Sequence, residues 1–194
     1  MYLNIFKNKL IIPKHKYTKR EKTVVKILRK QESITSLLNV GFHDWDDERR
    51  HWWIKICDAN EIEWKILEIF KPNIENAIKA GCPQNKLIHG SILDTNTYNN
   101  FDCILFWHGP EHIKKNVFLE SLPEIEKKTN KLILFGMPHG EEIQEAVYGN
   151  EYEEHVSAWY SNEWKDLGYK TIVVNDRTDR TPGHITSYKL TNSP

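Results

Sequence analysis

Apolar runs of strand length alternate with amphipathic segments along most of the chain. Nearly continuous apolar runs predict buried strands, and they span 34–40, 64–70, 87–88, 101–107, 131–136, 170–174 and 185–190. Apolar residues at helical spacing predict helices between them, over 18–31, 46–56, 73–80, 111–128 and 161–167. Strand and helix therefore alternate from residue 18 to residue 174, except that no helix is predicted between the strands at 87–88 and 101–107.

Residues typical of helix ends mark several of these boundaries. Thr18 precedes the first helix and Glu21 follows three residues later, which is the spacing of a capping box. Gly81 and Gly168 follow two other helices, where glycine commonly ends a helix. Pro123 predicts an interruption of the helix over 111–128, because proline lacks the backbone N–H that a helix interior needs.

The order of these elements predicts an α/β fold. Strands that are apolar throughout and are followed by helices are typical of a parallel sheet covered on both faces. No helix is predicted between the last two strands, so we expect that pair to be antiparallel. We predict a single domain with three αβα layers, made of a basic N-terminal segment and helix at 1–32 and a body at 33–194.

The charges balance overall but are unevenly distributed. The chain has 27 Lys and Arg against 27 Asp and Glu, which disfavours a uniformly basic nucleic-acid binder. Residues 1–30 carry a local balance of +9, and residues 31–194 a balance of −9. The basic segment is either a solvated helix face, which we favour, or an arm that attracts an anionic partner such as RNA or a phosphorylated sugar.

Nothing in the sequence predicts a membrane protein or a secreted protein. No apolar run approaches the 18 residues of a membrane span, and the N-terminus lacks the apolar stretch of a cleaved signal. Cys57, Cys82 and Cys103 are an odd, sparse set without a CxxC pair, which favours buried thiols over a disulfide framework or a zinc site. We expect a cytoplasmic protein, and we make no prediction of its oligomeric state.

The residues directly after the predicted strands are the candidates for a ligand site. A doubly wound sheet binds its ligand at the carboxyl ends of the strands. Gly41 and Phe42 follow the first strand, and Glu68 lies at the end of the second. A carboxylate in that place can accept hydrogen bonds from both hydroxyls of a ribose. The third and fourth strands lead into the segments 90–93 and 107–112.

Six segments resemble the class I S-adenosylmethionine-dependent methyltransferases in their order and spacing. They are LLNVGF, WKILEIFKPNIENAIKAG, LIHGSILD, YNNFDCILFWHGPEHI, KLILFGMPHG and EYEEHVSAWYSNEWKDLGYK. FDCILFWHGPEH is similar to the family's fourth-strand motif, an FD followed by apolar residues and a Leu/Pro-Glu-His. The resemblance covers residues 33–190 and implies a Rossmann-like, mostly parallel sheet of seven strands with an antiparallel last strand.

The resemblance implies S-adenosylmethionine as cofactor. Its amino-acid end would lie near Gly41 and Phe42, and its ribose at Glu68. Its adenine would lie near Ser91 and Ile92. The full set of predicted cofactor-binding residues is Asn39, Gly41, Phe42, Glu68, Ile69, Gly90, Ser91, Ile92 and Trp107.

Two positions depart from the family pattern. The family's first loop usually reads Glu/Asp-x-Gly-x-Gly-x-Gly, whereas here Gly41 is the one glycine and Phe42 and His43 add side chains. Ser91 stands where many members have an aspartate near the adenine. A second hypothesis therefore stays open, a non-catalytic methyltransferase-like domain that acts as a partner or regulator, with Phe42, His43 and Trp45 filling the cavity.

Two histidines are candidate general bases. His108 lies nearest the reactive sulfonium in the resemblance, and His155 lies in the later polar segment. Imidazole commonly abstracts a hydroxyl proton near neutral pH. His108 and His112 have the spacing of metal ligands on a helix, but Gly109 and Pro110 break a helix there and no third ligand is evident nearby. We therefore predict no metal site.

The acceptor that the sequence favours is a hydroxyl of a small molecule or a sugar, because the chain has no appended recognition domain. We expect the acceptor to enter beside His108 and the segment 137–160. An RNA methyltransferase that uses the basic arm is a less favoured alternative. Trp45, Trp52 and Trp53 are predicted to pack in the core, with Trp45 the one that could face a ligand.

Overall fold

Helices and strands alternate in the computed structural model, which describes residues 10–31, 33–42, 45, 47, 51–147, 149–174 and 183–191. The helices within these ranges are α1 (Lys19–Leu28), α2 (Trp52–Ala59), α3 (Lys71–Lys79), α4 (Lys115–Lys127) and α5 (Ser161–Asp166). The strands are β1 (Ser36–Val40), β2 (Glu63–Glu68), β3 (Leu87–His89), β4 (Phe101–Trp107), β5 (Thr129–Pro138), β6 (Lys170–Val174) and β7 (His184–Leu190). Short 3-10 turns lie at Gln84–Lys86, Pro110–His112 and Glu151–Glu153.

The strands form one sheet in the order β3-β2-β1-β4-β5-β7-β6. The pairs from β3 to β5 are parallel, whereas β7 runs antiparallel to both β5 and β6. The prediction of a mostly parallel sheet of seven strands with an antiparallel last strand is confirmed. The strand order reverses between β1 and β4, which is the switch point where sheets of this type bind ligands.

Two hydrophobic cores cover the two faces of the sheet, because successive side chains of a strand point to opposite faces. Leu37 belongs to the first core and Leu38 to the second, and both are at most 2% exposed. Buried residues of α1, α2 and α3 complete the first core, and those of α4 and α5 complete the second. The three predicted αβα layers follow from this alternation.

The first helix is held at its start by the predicted capping box. The Thr18 hydroxyl accepts from the Glu21 backbone N–H at 3.2 Å, and the Glu21 carboxylate accepts from the Thr18 N–H at 2.7 Å. Val24 and Leu28 of α1 are buried in the first core. The helix is therefore packed on the sheet, and the domain boundary predicted after residue 32 stays a prediction.

The helix predicted over 111–128 begins later than expected, at Lys115. The Pro110–His112 segment forms a 3-10 turn and Ile113 is extended, so Glu111 lies outside the helix. Pro123 lies inside α4 without ending it. Buried apolar residues on one face of α4 supply the packing that compensates for the missing N–H.

Other boundaries differ by a few residues, and the largest shift is in α2. Its predicted range was 46–56, whereas the observed helix ends at Ala59 and Asp47 is not helical. Residues 46 and 48–50 of the predicted range lie outside the described residues. The C-terminal extension buries Cys57 in the first core, next to Ile56.

The predictions for the cysteines and tryptophans are confirmed. Cys57, Cys82 and Cys103 are buried free thiols. Trp52 and Trp53 are buried in the first core, and Trp45, which is half-buried, packs against the same core. None of the helices in the described ranges has the length and apolar character needed to cross a membrane.

The capping box provides a test of how firmly α1 is joined to the sheet. We expect Thr18→Ala to lower the free energy of unfolding by about 1 kcal/mol, because it removes an N-cap acceptor. Thr18→Ser keeps the hydroxyl and should stay close to the parent protein. Urea denaturation followed by circular dichroism measures both variants, and equal stability of all three proteins would contradict a structural role for this cap.

Candidate active site

The carboxyl ends of the four parallel strands β3, β2, β1 and β4 meet at one edge of the sheet. Val40 pairs with Leu67 of β2 on one side and with Phe106 of β4 on the other. Glu68, the last residue of β2, pairs with His89 of β3. The residues that follow these strands therefore lie together, as the sequence analysis expects for a switch-point site.

Gly41 makes the turn at the end of β1. Its φ of +76° lies in the left-handed region, where a residue without a side chain is favoured. Its N–H donates to the carbonyl of Leu67 at 2.8 Å, so the turn starts in register with β2. Among the described residues, no atom lies within 4 Å of the point where a Cβ would stand.

Asn39 lies beneath this turn and presents an unused acceptor. Its side chain is buried and donates to the carbonyl of Gly41 at 2.6 Å. Its Oδ1 atom is buried and has no hydrogen-bond partner in the described part of the chain. Buried acceptors are normally satisfied, so this atom is a candidate to receive a donor from a ligand.

The carboxylate of Glu68 is buried between two loops and is only 4% exposed. It accepts from the backbone N–H of Phe42 at 3.0 Å and from that of Phe70 at 2.6 Å. Burial raises the pKa of Glu68 to about 7, and the negative charge of Glu153 adds to this, although the two N–H groups and Asn73 oppose it. Glu68 lies at the end of β2, as predicted.

The residues after β2 and β3 line the same edge. The Gly90 N–H donates to the carbonyl of Glu68 at 3.0 Å, and the Ile69 carbonyl lies 3.1 Å from Nε2 of His89. Ser91 is half-buried, and its hydroxyl accepts from the Leu93 N–H at 3.2 Å. The side chain of Ile92 is 4% exposed and packs in the second core, so Ser91 and Leu93 are the more accessible neighbours for an adenine.

Trp107 and His108 follow β4 on the other side of the switch point. The Trp107 ring lies over Gly136 of β5, where a Cβ would come within 2.3 Å of the ring. His108 has a φ of +58°, which is uncommon for a residue with a side chain and is typical of functional sites. The side chain of His108 remains 42% exposed at this edge.

Arg20 of α1 reaches the same place. Its guanidinium carbon lies 4.3 Å from the centroid of the Trp107 ring, and its Nη1 atom is 2.8 Å from Nε2 of His108. Arg20 is 8% exposed, so one member of the basic segment is not the solvated charge that the sequence analysis favours for this segment. The basic helix thus contributes a residue to the candidate site.

Glu111 orients His108 from the opposite side. Its Oε1 atom is 3.1 Å from Nδ1 of His108, and its Oε2 accepts from the Gly109 N–H at 2.7 Å. Burial alone would raise the pKa of Glu111, but the His108 contact holds it below its usual range. The neighbouring protein displaces part of the water around the half-exposed His108 ring, and Arg20 adds a positive charge, so the pKa of His108 is lowered. A neutral His108 that donates from Nδ1 to Glu111 and accepts at Nε2 from Arg20 satisfies all these contacts.

His155 lies close to His112 in the structure. Their ring centroids are 4.9 Å apart, and a ligand atom of Glu111 lies within 4.8 Å of one on each histidine. From the sequence, His155 is predicted as a separate general base, and no third metal ligand is evident near His108 and His112. His155 is 43 positions after His112 in the chain, and the segment that follows β5 brings it close to His112.

The structure thus brings together most of the predicted residues and adds three that the sequence analysis missed. Asn39, Gly41, Phe42, Glu68, Gly90 and Ser91 share one edge with Trp107 and His108, whereas His43 lies outside the described residues. The missed residues are Arg20, Asn73 and Glu111. Glu111 had a signal in the sequence, a carboxylate three residues after His108, but no local pattern places Arg20 of a terminal helix beside a strand end.

Comparisons with known proteins agree with this architecture. No protein-family model and no curated protein sequence matches the chain. Among solved structures, a SAM-dependent methyltransferase from Archaeoglobus fulgidus is 12% identical with a TM-score of 0.57, covering 87% of this chain and 91% of that one. The plantazolicin methyltransferase BpumL, in complex with SAH and a triazolic desmethylPZN analog, is 14% identical with a TM-score of 0.59, covering 88% and 81%.

A third similar structure is the mitomycin 7-O-methyltransferase MmcR. It is 12% identical with a TM-score of 0.51, and the match covers 81% of this chain and 49% of that one. At such identities the likeness shows the fold. The chain has the Rossmann-like fold of the class I S-adenosylmethionine-dependent methyltransferases, which confirms the predicted fold class.

The raised pKa of Glu68 gives the first test of the site. A carboxyl with a pKa of about 7 when folded and 4.5 when unfolded binds its proton more tightly in the folded state. The free energy of unfolding should therefore fall by about 3 kcal/mol as the pH rises from about 4.5 to about 7. We expect Glu68→Gln to lose this component of the pH dependence.

The control for this measurement is Glu63→Gln, because Glu63 is an exposed carboxylate on the same strand. Urea denaturation at several pH values should give the same profile for Glu63→Gln and the parent protein. If Glu68→Gln keeps the parent's pH profile as well, Glu68 is not the buried carboxyl group described above.

Proposed function

We propose that this protein is an S-adenosylmethionine-dependent methyltransferase that methylates an oxygen of a small molecule or a sugar. The observation that carries the proposal is the place of Glu68. It is a buried carboxylate at the end of β2, beside the turn at Gly41 and next to the switch point between β1 and β4. A sheet of this order binds nucleoside-containing ligands in that place.

The donors of the cofactor fit the acceptors of the site. S-adenosylmethionine carries an ammonium group and two ribose hydroxyls, all of which donate hydrogen bonds. The chain offers the unused Oδ1 atom of Asn39 and the carboxylate of Glu68. Two N–H donors occupy only part of the acceptor capacity of a carboxylate, so Glu68 retains lone pairs for the ribose.

His108 is placed to receive a proton from the acceptor. When bound, S-adenosylmethionine supplies a methyl group on a good leaving group, so the protein mainly has to align the two reactants. Glu111 holds Nδ1 of His108 as the donor and leaves Nε2 as the basic atom. Arg20 contacts that atom at 2.8 Å, so we propose that an acceptor hydroxyl takes its place there. His155 is the second candidate for this role.

A small acceptor is favoured by the surroundings of His108. The segment after β5 is joined to the turn after β4, since the backbone N–H groups of Val156 and Ser157 both donate to the carbonyl of Glu111. We infer that an acceptor enters between this segment and the turn after β4. The body of the chain also carries a balance of −9, which would repel a polyanion from the pocket.

Cofactor binding tests the proposal directly. S-adenosylhomocysteine, the product form of the cofactor, should bind the full chain with one site in isothermal titration calorimetry. Glu68→Gln should weaken this binding by about 10-fold or more, because an amide cannot accept from two hydroxyls as a carboxylate does. Glu63→Gln, on the same strand, should bind like the parent protein.

Two results would contradict the proposal in different ways. No binding of either cofactor form at millimolar concentration would favour the alternative of a non-catalytic domain that acts as a partner or regulator. Equal binding by the parent protein and Glu68→Gln would show that the ribose lies elsewhere.

The acceptor class is tested by measuring release of S-adenosylhomocysteine from S-adenosylmethionine. We expect turnover with small hydroxylated compounds or sugars, and no turnover with RNA. Lys19, Lys22 and Lys26 are exposed on α1, so changing all three to Ala removes positive charge from the arm without touching the site. This variant should keep the parent's activity, whereas turnover of RNA that is lost in the variant would establish the RNA alternative.

A further inference from the structure

Two half-buried histidines and one buried carboxylate meet beside the candidate site. Glu111 and His112 belong to the 3-10 turn after β4, and His155 follows the 3-10 turn at Glu151–Glu153. Each offers one ligand atom, and these atoms all lie within 4.8 Å of one another. This set of side chains, Glu111, His112 and His155, is called the EHH cluster below.

Backbone hydrogen bonds hold the two segments of the EHH cluster together. The Glu111 carbonyl accepts from the N–H of Val156 at 2.9 Å and from that of Ser157 at 3.0 Å. The Ser157 hydroxyl donates to the carbonyl of Pro110 at 3.0 Å. These hydrogen bonds therefore hold the segment of Val156 and Ser157 against the turn that contains Glu111 and His112.

Both histidines of the cluster are oriented by backbone carbonyls. Nδ1 of His112 lies 3.1 Å from the carbonyl oxygen of Glu154, and Nδ1 of His155 lies 2.7 Å from that of Glu142. A carbonyl can only accept, so in each ring Nδ1 carries the hydrogen and Nε2 carries the lone pair. Histidines that bind metals are oriented in this way, with the second ring nitrogen donating to a carbonyl or a carboxylate.

The carboxylate supplies the negative charge of the cluster. Glu111 is 2% exposed, and its two oxygens contact Nδ1 of His108 and the N–H of Gly109. Each oxygen of a carboxylate has a second lone pair that these contacts leave available. A cation beside this buried charge would be stabilised more strongly than in water, because the protein screens charge less than water does.

We propose that the EHH cluster binds a divalent transition metal of the Zn²⁺ class, through Nε2 of His112, Nε2 of His155 and the carboxylate of Glu111. Two imidazoles and one carboxylate are a ligand set suited to Zn²⁺, with a fourth position left for water or a substrate oxygen. Bonds of about 2.1 Å in tetrahedral geometry place ligand atoms about 3.4 Å apart. The present ligand atoms lie within 4.8 Å of one another, so metal binding would draw them closer together.

The metal site goes beyond the methyltransferase proposal and does not depend on it. None of the three ligands is among the predicted cofactor-binding residues, and the metal can be titrated without cofactor or acceptor. A metal on Nε2 of His155 takes the lone pair that a general base would need. In the metal-bound protein, His108 is then the base and His155 is a ligand.

Metal titration of the full chain, free of any affinity tag and treated with chelator, tests the site. In isothermal titration calorimetry with Zn²⁺ we expect one equivalent per chain. His112→Ala and His155→Ala should each weaken binding by more than about 10-fold, because each removes a ligand. His15→Ala removes a half-buried histidine outside the cluster and should bind like the parent protein. Circular dichroism checks that all variants are folded.

Cobalt(II) gives a second readout that identifies the donor atoms. We expect the visible bands of a four- or five-coordinate Co²⁺ with nitrogen and oxygen ligands, and loss of these bands in both histidine variants. Zn²⁺ should also raise the melting temperature of the parent protein, because a ligand that binds only the folded state stabilises it.

Three results would overturn the metal site. The first is the absence of Zn²⁺ binding at micromolar concentration. The second is stoichiometric Zn²⁺ binding that is retained in both His112→Ala and His155→Ala. The third is a sulfur-to-cobalt charge-transfer band, which shows ligation by cysteine. A protein that binds S-adenosylhomocysteine but no metal would keep the proposed function and lose this site. The reverse result would keep the site and lose the function.

Discussion

A single buried carboxylate holds together the loops on which the candidate cofactor site depends. Glu68 accepts from the N–H groups of Phe42 and Phe70, and Asn73 donates to the carbonyl of Phe42. Gly41, the residue directly after β1, has a φ of +76°. Hydrogen bonds from Phe42 and Phe70 to this carboxylate therefore hold the starts of the loops after β1 and β2 together. Burial of the carboxylate, which these hydrogen bonds only partly offset, raises its pKa to about 7.

Glu111 has the corresponding position on the other side of the switch point. Its carboxylate contacts His108 and the N–H of Gly109, and its carbonyl accepts from two residues of the segment after β5. Glu111 thus takes part in three features. It orients the candidate base His108, it binds the segment after β5, and it belongs to the proposed metal cluster. A substitution at Glu111 is expected to disturb His108 and the cluster together, whereas its backbone carbonyl and the contacts of that carbonyl with Val156 and Ser157 are kept.

Local patterns in the sequence predict both the fold, which the structure confirms, and the residues that are proposed to bind the cofactor. Continuous apolar strands produce the covered sheet. Val40 of β1 pairs with Leu67 of β2, so the next residues along the two chains, Gly41 and Glu68, lie side by side. The acceptor side depends on contacts between distant segments. Arg20 meets His108 across 88 positions, and His155 meets His112 across 43. The predicted start of α4 at residue 111 was also wrong. The Glu111 side chain accepts from the N–H of Gly109 and favours a separate 3-10 turn before the helix.

The central claim is that the edge of the sheet at Glu68 binds the ribose of S-adenosylmethionine. A crystal structure of the chain with S-adenosylhomocysteine measures this most directly. The account predicts both ribose hydroxyls within about 3.2 Å of the Glu68 carboxylate and the amino-acid end of the ligand beside Asn39 and Gly41. A ligand bound away from the ends of β1 and β2, or a ribose turned away from Glu68, would contradict it.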